Sequence, residues 1–186
     1  MAAVAFVCRA PFVGQFGKGH MTSYTTLKTQ ALGDLLLVAS DTKLVGIYYA
    51  DCNHAPEIAA GWRHNPRHPI LQQAKKEIGS FLEGKRNSFS VPLHFGGTKF
   101  QQKVWTQLAR IPFGQTISYS ELARRAGRPT AIRAAGSATG RNPLSIIIPC
   151  HRVISKSGTL GGYAGRLSRK QRLLDLEKEA AGEQAP

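Results

Sequence analysis

Three consecutive isoleucines, Ile146-Ile147-Ile148, run straight into Pro149, Cys150, His151, Arg152 and Val153. A run of branched apolar residues reads as a fully buried strand, and Pro149 ends it by withholding a backbone donor. Cys150 and His151 then stand where the chain leaves the core. A thiol placed there is shielded yet reachable, and a neighbouring imidazole together with Arg152 favours its thiolate. Cys150 and His151 are adjacent in sequence, so direct side-chain contact is strained and a bridging water is the reasonable proton carrier. The imidazole needs a third group to orient it. The closing helix, Ser168 to about Ala180, puts Leu173, Leu174 and Glu177 on one face. A carboxylate on an apolar face requires a buried partner. His151 suits Glu177, but so would Arg or Lys, and a buried cysteine is often inert. Spacing alone leaves a reactive and a structural thiol equally open.

The charge narrows the field. The formal net charge is +14, and the stretch from Arg110 to Arg172 carries twelve Lys or Arg against one acid, Glu121. A concentration of this kind points to a phosphate-binding face, with nucleic acid as the polymer, over a merely solvated basic surface. Cys8, Cys52 and Cys150 are odd in number and widely spaced. They argue against a disulfide framework and a cysteine-rich zinc site, and for a reducing cytosol. No apolar run approaches the roughly 20 residues that span a bilayer, and the mildly apolar stretch Met1–Lys18 lacks the basic start and cleavage site of a signal peptide. The expectation is a soluble cytoplasmic protein with no metal and no cofactor.

Residues 22–93 read as an α/β domain. Leu35–Ala39 and Leu44–Tyr49 suit a hairpin across Ser40-Asp41-Thr42, Ile70 to Leu82 has helical spacing ended by Gly84, and Phe89–Leu93 suits one more strand. Residues 94–98 form the linker, 99–180 a mainly helical domain, and 1–21 and 181–186 flexible ends. Phe100, Val104, Leu108 and Ile111 lie on one helical face closed by Pro112. Ser118 to Glu121 is a capping-box pattern opening a helix to Ala126. Gly127-Arg128-Pro129 turns the chain, and Thr130 caps a second helix, Ala131 to Thr139. This is a helix-turn-helix pattern with the second helix as reader. That helix offers almost no base-edge hydrogen-bonding groups. Ala131, Ala134, Ala135 and Gly136 allow close approach to a groove, and Arg133 could fill the gap left by an extruded base.

Pro149-Cys150-His151-Arg152-Val153 resembles the signature of the O6-alkylguanine-DNA alkyltransferases. So do Ile111-Pro112-Phe113-Gly114, Thr116-Ile117-Ser118-Tyr119, Arg141-Asn142-Pro143, Gly162-Tyr163 and Leu173-Leu174-Asp175-Leu176-Glu177, in order and spacing. The match is strong from about Lys99 to Glu177 and holds in outline from Thr22 to Leu93. The resemblance implies a ribonuclease-H-like N-terminal α/β region and a C-terminal domain that flips bases from the minor groove. It implies irreversible transfer of an alkyl group from O6-alkylguanine, and from O4-alkylthymine, in double-stranded DNA to Cys150, which ends the protein's activity after one turnover. It assigns His151 as base through water, Glu177 as its holder, and Asn142 as brace of the turn presenting Cys150. Tyr119 turns the target phosphate and protonates the departing guanine, and Arg133 fills the stack. Thr130, Ala131, Ala134, Ala135, Gly136 and Arg141 lie against DNA. The base pocket takes Tyr163, Ala164, Ser145, Thr139 and the carbonyls of Cys150 and Val153. The resemblance also implies a monomer, with cooperative binding along DNA left open.

Departures from the family pattern are few. Ala164 stands where some members have serine, so only its backbone N–H could contribute there. Arg166 stands where several relatives have glycine. Cys8, Cys52, His54 and His94 do not reproduce the zinc-binding pattern of some relatives. Three other readings compete: a damage-binding protein without transfer, a helix-turn-helix regulator with a structural Cys150, and a Cys-His acyl hydrolase. The regulator lacks a sequence-reading helix, and the hydrolase needs an oxyanion hole and no basic face.

Overall fold

The computed structural model describes residues 21–183. Cys8, nearly all of the expected N-terminal extension and the end of the expected tail lie outside the described residues. An α/β half precedes a mainly helical half, as expected. Strands β1 (Ser23–Leu27), β2 (Leu35–Ala39), β3 (Leu44–Tyr49) and β4 (Arg63–His64) form a mixed sheet ordered β3-β2-β1-β4. The β2–β3 hairpin is antiparallel, and β4 pairs parallel with β1. β1 escaped the sequence reading because its inward positions are polar: Ser23 and Thr25 are buried. Helix α1 (Pro69–Leu82) sets Leu71, Ala74, Ile78 and Phe81 into the core. Gly84 follows its end with φ +72°, a backbone conformation that glycine adopts without steric cost.

The helical half comprises α2 (Lys99–Ala109), β5 (Ile117–Ser118), α3 (Tyr119–Arg125), α4 (Ile132–Gly140), a 3-10 turn (Cys150–Arg152), β6 (Val153–Ile154) and α5 (Leu167–Glu183). Thr98, expected in the linker, instead caps α2 in a reciprocal capping box with Gln101, which stabilises such a start by about 1 kcal/mol. The helix stops at Ala109, and Ile111 is buried beyond its end. Apolar residues of both halves, among them Leu44, Ile47, Val104, Trp105, Ile146 and Cys150, share one core. No helix among the described residues is long and apolar enough to cross a membrane.

Four local expectations are corrected. The Ile146–Ile148 run is buried but is a turn: Ile146 has φ +74° and the Ile148 N–H bonds the Leu144 carbonyl. Hydrophobic content reported burial, and burial does not distinguish strand from turn. Phe89–Leu93 makes only an isolated parallel bridge, Leu44 to Leu93, because Pro92 has no N–H to extend a ladder. Thr130 does not cap α4; Ala131 occupies that position without a side-chain bond. Ser118 caps α3 by accepting from the Glu121 N–H, but the Glu121 carboxylate turns to Arg124 and Arg125 rather than closing the box.

Candidate active site

Helices α3 and α4 meet across Gly127, which turns with φ +77°. At the start of α3, Tyr119 lies half-buried against the loop after β6. A Cβ at Gly161 would come within 2.6 Å of the Tyr119 ring and hydroxyl, so this loop approaches the tyrosine only as glycine. A cavity of about 690 Å³ opens between α4 and the loop, lined by Tyr119, Ile132, Arg133, Gly136, Ser137, Gly140, Arg141, Gly162, Tyr163, Ala164 and, from the sheet half, His54.

Six of the expected site residues, Tyr119, Arg133, Gly136, Arg141, Tyr163 and Ala164, stand in that wall. Thr130 and Ala134 are exposed on the same helical hairpin, and Ala131 is half-buried. Others are turned away from it. Ala135 is fully buried. Thr139 is buried and donates to the Ala135 carbonyl of its own helix at 2.8 Å. Ser145 and Val153 are buried behind the wall.

Cys150 is 5% exposed at the head of the 3-10 turn. Burial pushes its thiol up, against hydrogen bonds from Asn142 and Tyr163 and the charge of Lys170. The resting group is therefore a neutral thiol, which corrects the expectation that His151 and Arg152 hold it as thiolate. Asn142 braces the approach to it, donating to the Ile148 carbonyl at 2.7 Å and accepting from the Leu144 N–H at 3.0 Å. That bracing holds Ile146 in the left-handed region, a strained conformation for a β-branched residue.

His151 is fully buried, with Nε2 2.7 Å from Glu177 Oε1. Arg152 lies on the other side of the same carboxylate, its Nε 2.8 Å from Oε2 and its Nη2 2.9 Å from Oε1. The Gly114 N–H also donates to Glu177, and Arg152 Nη1 donates to the Ile111 carbonyl. The two partners that spacing left open for Glu177 are thus both present. Burial pushes Glu177 up, but the bonds and charges of His151 and Arg152 outweigh it and leave its carboxyl below the ordinary range. Burial in turn pushes His151 down. An ionised carboxylate only accepts, so the neutral imidazole carries its proton on Nε2. Nδ1, which has no hydrogen-bond partner among the described residues, then holds the free lone pair.

Lys170 was missed. It is fully buried, and its ammonium donates to the carbonyls of Val153 at 2.6 Å and Gly161 at 3.3 Å. Lys170, Leu173 and Glu177 fall at i, i+3 and i+7 on α5, so helical spacing carried the signal. The Val153 carbonyl, expected to face a base, is already engaged by this lysine. Lys170→Met keeps the volume and removes the cation that favours a Cys150 thiolate. The expected result is alkyl transfer slowed about tenfold. Stability stays within about 1 kcal/mol, because a buried charge has been removed as well as its bonds. Single-turnover rates and melting curves check both, and an unchanged rate would exclude the electrostatic role.

Arg152 and Lys170 thus belong to the interior, which subtracts two cations from the basic face read in the sequence. Arg110, Arg124, Arg125, Arg128, Arg133, Arg141, Lys156, Arg166 and Arg172 remain exposed.

Two family models match the chain. 6-O-methylguanine DNA methyltransferase, ribonuclease-like domain, covers residues 23–95, and the DNA binding domain of the same family covers residues 99–179. A methylated-DNA–protein-cysteine methyltransferase of Mycolicibacterium paratuberculosis is 41% identical over 158 residues, spanning 85% of this chain and 93% of the relative. The inducible enzyme of that name from Bacillus subtilis is 53% identical over 113 residues, 61% of this chain and 63% of its own. Among solved structures, Mycobacterium tuberculosis OGT in complex with DNA superposes with a TM-score of 0.78 at 38% identity, covering 85% of this chain and 94% of that one.

Proposed function

This chain belongs to the 6-O-methylguanine DNA methyltransferase family, and from that premise we infer how its own residues carry out direct reversal of alkylation in DNA. It is a methylated-DNA–protein-cysteine methyltransferase that takes the alkyl group from O6-alkylguanine onto a cysteine of its own. The reading extends to O4-alkylthymine. The observation that carries the assignment is Cys150, backed by the buried His151–Glu177 pair and lying behind Tyr163, which stands in the wall of an arginine-bearing cavity at the helix-turn-helix.

The exposed arginines around α3 and α4 attract the DNA phosphates. The small residues of α4 let it lie in the minor groove, and Arg133 occupies the space of the extruded nucleotide. The base enters the cavity between Tyr163, Ala164 and α4. Cys150 sulfur then attacks the alkyl carbon: the sulfur–carbon bond forms as the carbon–O6 bond breaks. The thiol proton passes through a water to His151 Nδ1, while Tyr119 gives its proton to the departing guanine. Burial holds the Tyr119 hydroxyl above its ordinary range, so it remains a proton donor at neutral pH. A thioether is not hydrolysed by any group in this site, so each molecule acts once. We further propose that the 22–93 and 99–180 divisions are its two domains, that it acts as a monomer, and that its place is the cytoplasm.

The deciding experiment incubates the protein with a duplex carrying one O6-methylguanine, followed by intact mass and peptide mapping. One added methyl group on Cys150, never more than one and absent in Cys150→Ala, is expected. Binding without modification would favour the damage-recognition reading. The pH profile tests the base. His151 must be neutral to accept the proton, and burial lowers it below the ordinary 6.5. The rate is therefore flat through 6.5 and falls only as pH drops through the depressed value. A rate that already declines above 6.5 would remove neutral His151 from the mechanism.

A further inference from the structure

The sheet half contributes a side chain to the far side of the thiol. Tyr49, the last residue of β3, is 2% exposed, and its hydroxyl lies 2.8 Å from the hydroxyl of Tyr163. Tyr163 stands close enough to Cys150 for each to shift the other's ionisation, so the two hydrogen-bonded phenols lead from the sheet toward the sulfur. The Tyr49 ring is held by Arg169 and by the loop at Gly165. The Arg169 guanidinium lies 4.8 Å above it, and that arginine is fixed by a bidentate pair with Asp51 at 2.7 and 3.0 Å. The loop backbone at Gly165 also lies so close that any side-chain carbon there would collide with the ring. This packing costs the loop its side chain at one position and joins residues 114 apart.

We propose that Tyr49 is a positioning residue for alkyl transfer: its hydroxyl, delivered by the N-terminal sheet, aims the Tyr163 hydroxyl at Cys150. This rests on the transfer reading above. When Tyr163 donates to the developing thiolate, its oxygen is free to accept from Tyr49. The donor is then fixed before the reaction rather than reoriented during it. The N-terminal half thereby acts on the chemistry and does more than cover the helical domain.

The test has two arms. In the first, wild type, Tyr49→Phe, Tyr163→Phe and the double variant react with the O6-methylguanine duplex in single turnover, at a series of protein concentrations. Tyr49→Phe keeps the ring and its packing. It is expected to lower the rate constant at saturation about fivefold with the duplex dissociation constant unchanged. The double variant is expected to be no slower than Tyr163→Phe, because Tyr49 acts only through that residue. In the second arm the same proteins react with iodoacetamide and the modification of Cys150 is timed by peptide mass, with no DNA present. A similar fall for Tyr49→Phe is expected. Tyr49→Phe at the wild-type rate in both arms, or additive losses in the double variant, would overturn the proposal. A wild type that takes no methyl group, with Tyr49→Phe still slowing iodoacetamide, would overturn the transfer reading and leave Tyr49's hold on the thiol standing. Should Tyr49→Phe not fold, Tyr163→Phe at the wild-type rate in both arms would equally overturn the proposal, since Tyr49 acts only through that hydroxyl.

Discussion

Glu177→Gln unfolds at a markedly lower temperature than the wild type and transfers alkyl groups about a hundredfold more slowly. Glu177 is the single anion among His151, the Arg152 guanidinium and the Gly114 N–H, all within 3.0 Å. A glutamine keeps the shape but turns one acceptor into a donor that faces other donors. The Arg152 charge is then left buried without its counter-charge, which costs about 3–5 kcal/mol. For a chain of this size that is a drop in melting temperature of about 10 °C. The slower transfer has a separate origin. With no carboxylate to accept from Nε2–H, the imidazole loses the tautomer that leaves Nδ1 free, and general-base help of about a hundredfold goes with it. Thermal unfolding and single-turnover rates read the two effects independently. A variant as stable as wild type would mean that Arg152 is solvated in solution.

Asn142→Ala carries the second large effect. Both ends of this amide are used: one donates to the Ile148 carbonyl and the other accepts from the Leu144 N–H. The Ile148 carbonyl retains the Cys150 N–H as a partner, but the Leu144 N–H would be orphaned in a buried place. That alone costs about 1–3 kcal/mol. The turn also loses the brace that holds Ile146 at φ +74°, so relaxation of that strain displaces Cys150. The expected sum is about 2–4 kcal/mol, with transfer slowed at least about tenfold because the thiol loses a donor that favours its ionised form. Asn142→Asp separates the two roles. It still accepts from Leu144 and should recover part of the stability, while its negative charge beside the sulfur keeps transfer slow. Recovery of both together would show that the amide's bond toward sulfur is unimportant.

These two residues mark the boundary between what can be read along a chain and what cannot. Helical periodicity in Ile70–Leu82 and Phe100–Leu108 depends on neighbours three and four residues apart, so the sequence itself determined α1 and α2, as it did the β2–β3 hairpin and the turn at Gly127. The Ile146–Val153 segment with its cysteine and histidine, and the carboxylate on the apolar face of α5, were legible for the same reason, and family motifs named their order. The tertiary structure decided where each polar group found its partner. Ile146–Ile148 is equally buried as strand or turn, and only the Asn142 amide, with β3 bonding to Pro143, makes it a turn. Arg152 and Lys170 count as surface charge until a carboxylate and two carbonyls from distant segments enclose them. Tyr49 is an ordinary strand residue until Tyr163 arrives from 114 positions away. Local hydrogen bonds and periodicity are short-ranged and are written in order along the chain. The compensation of a buried charge or hydroxyl depends on which segments meet, and only the folded core specifies that.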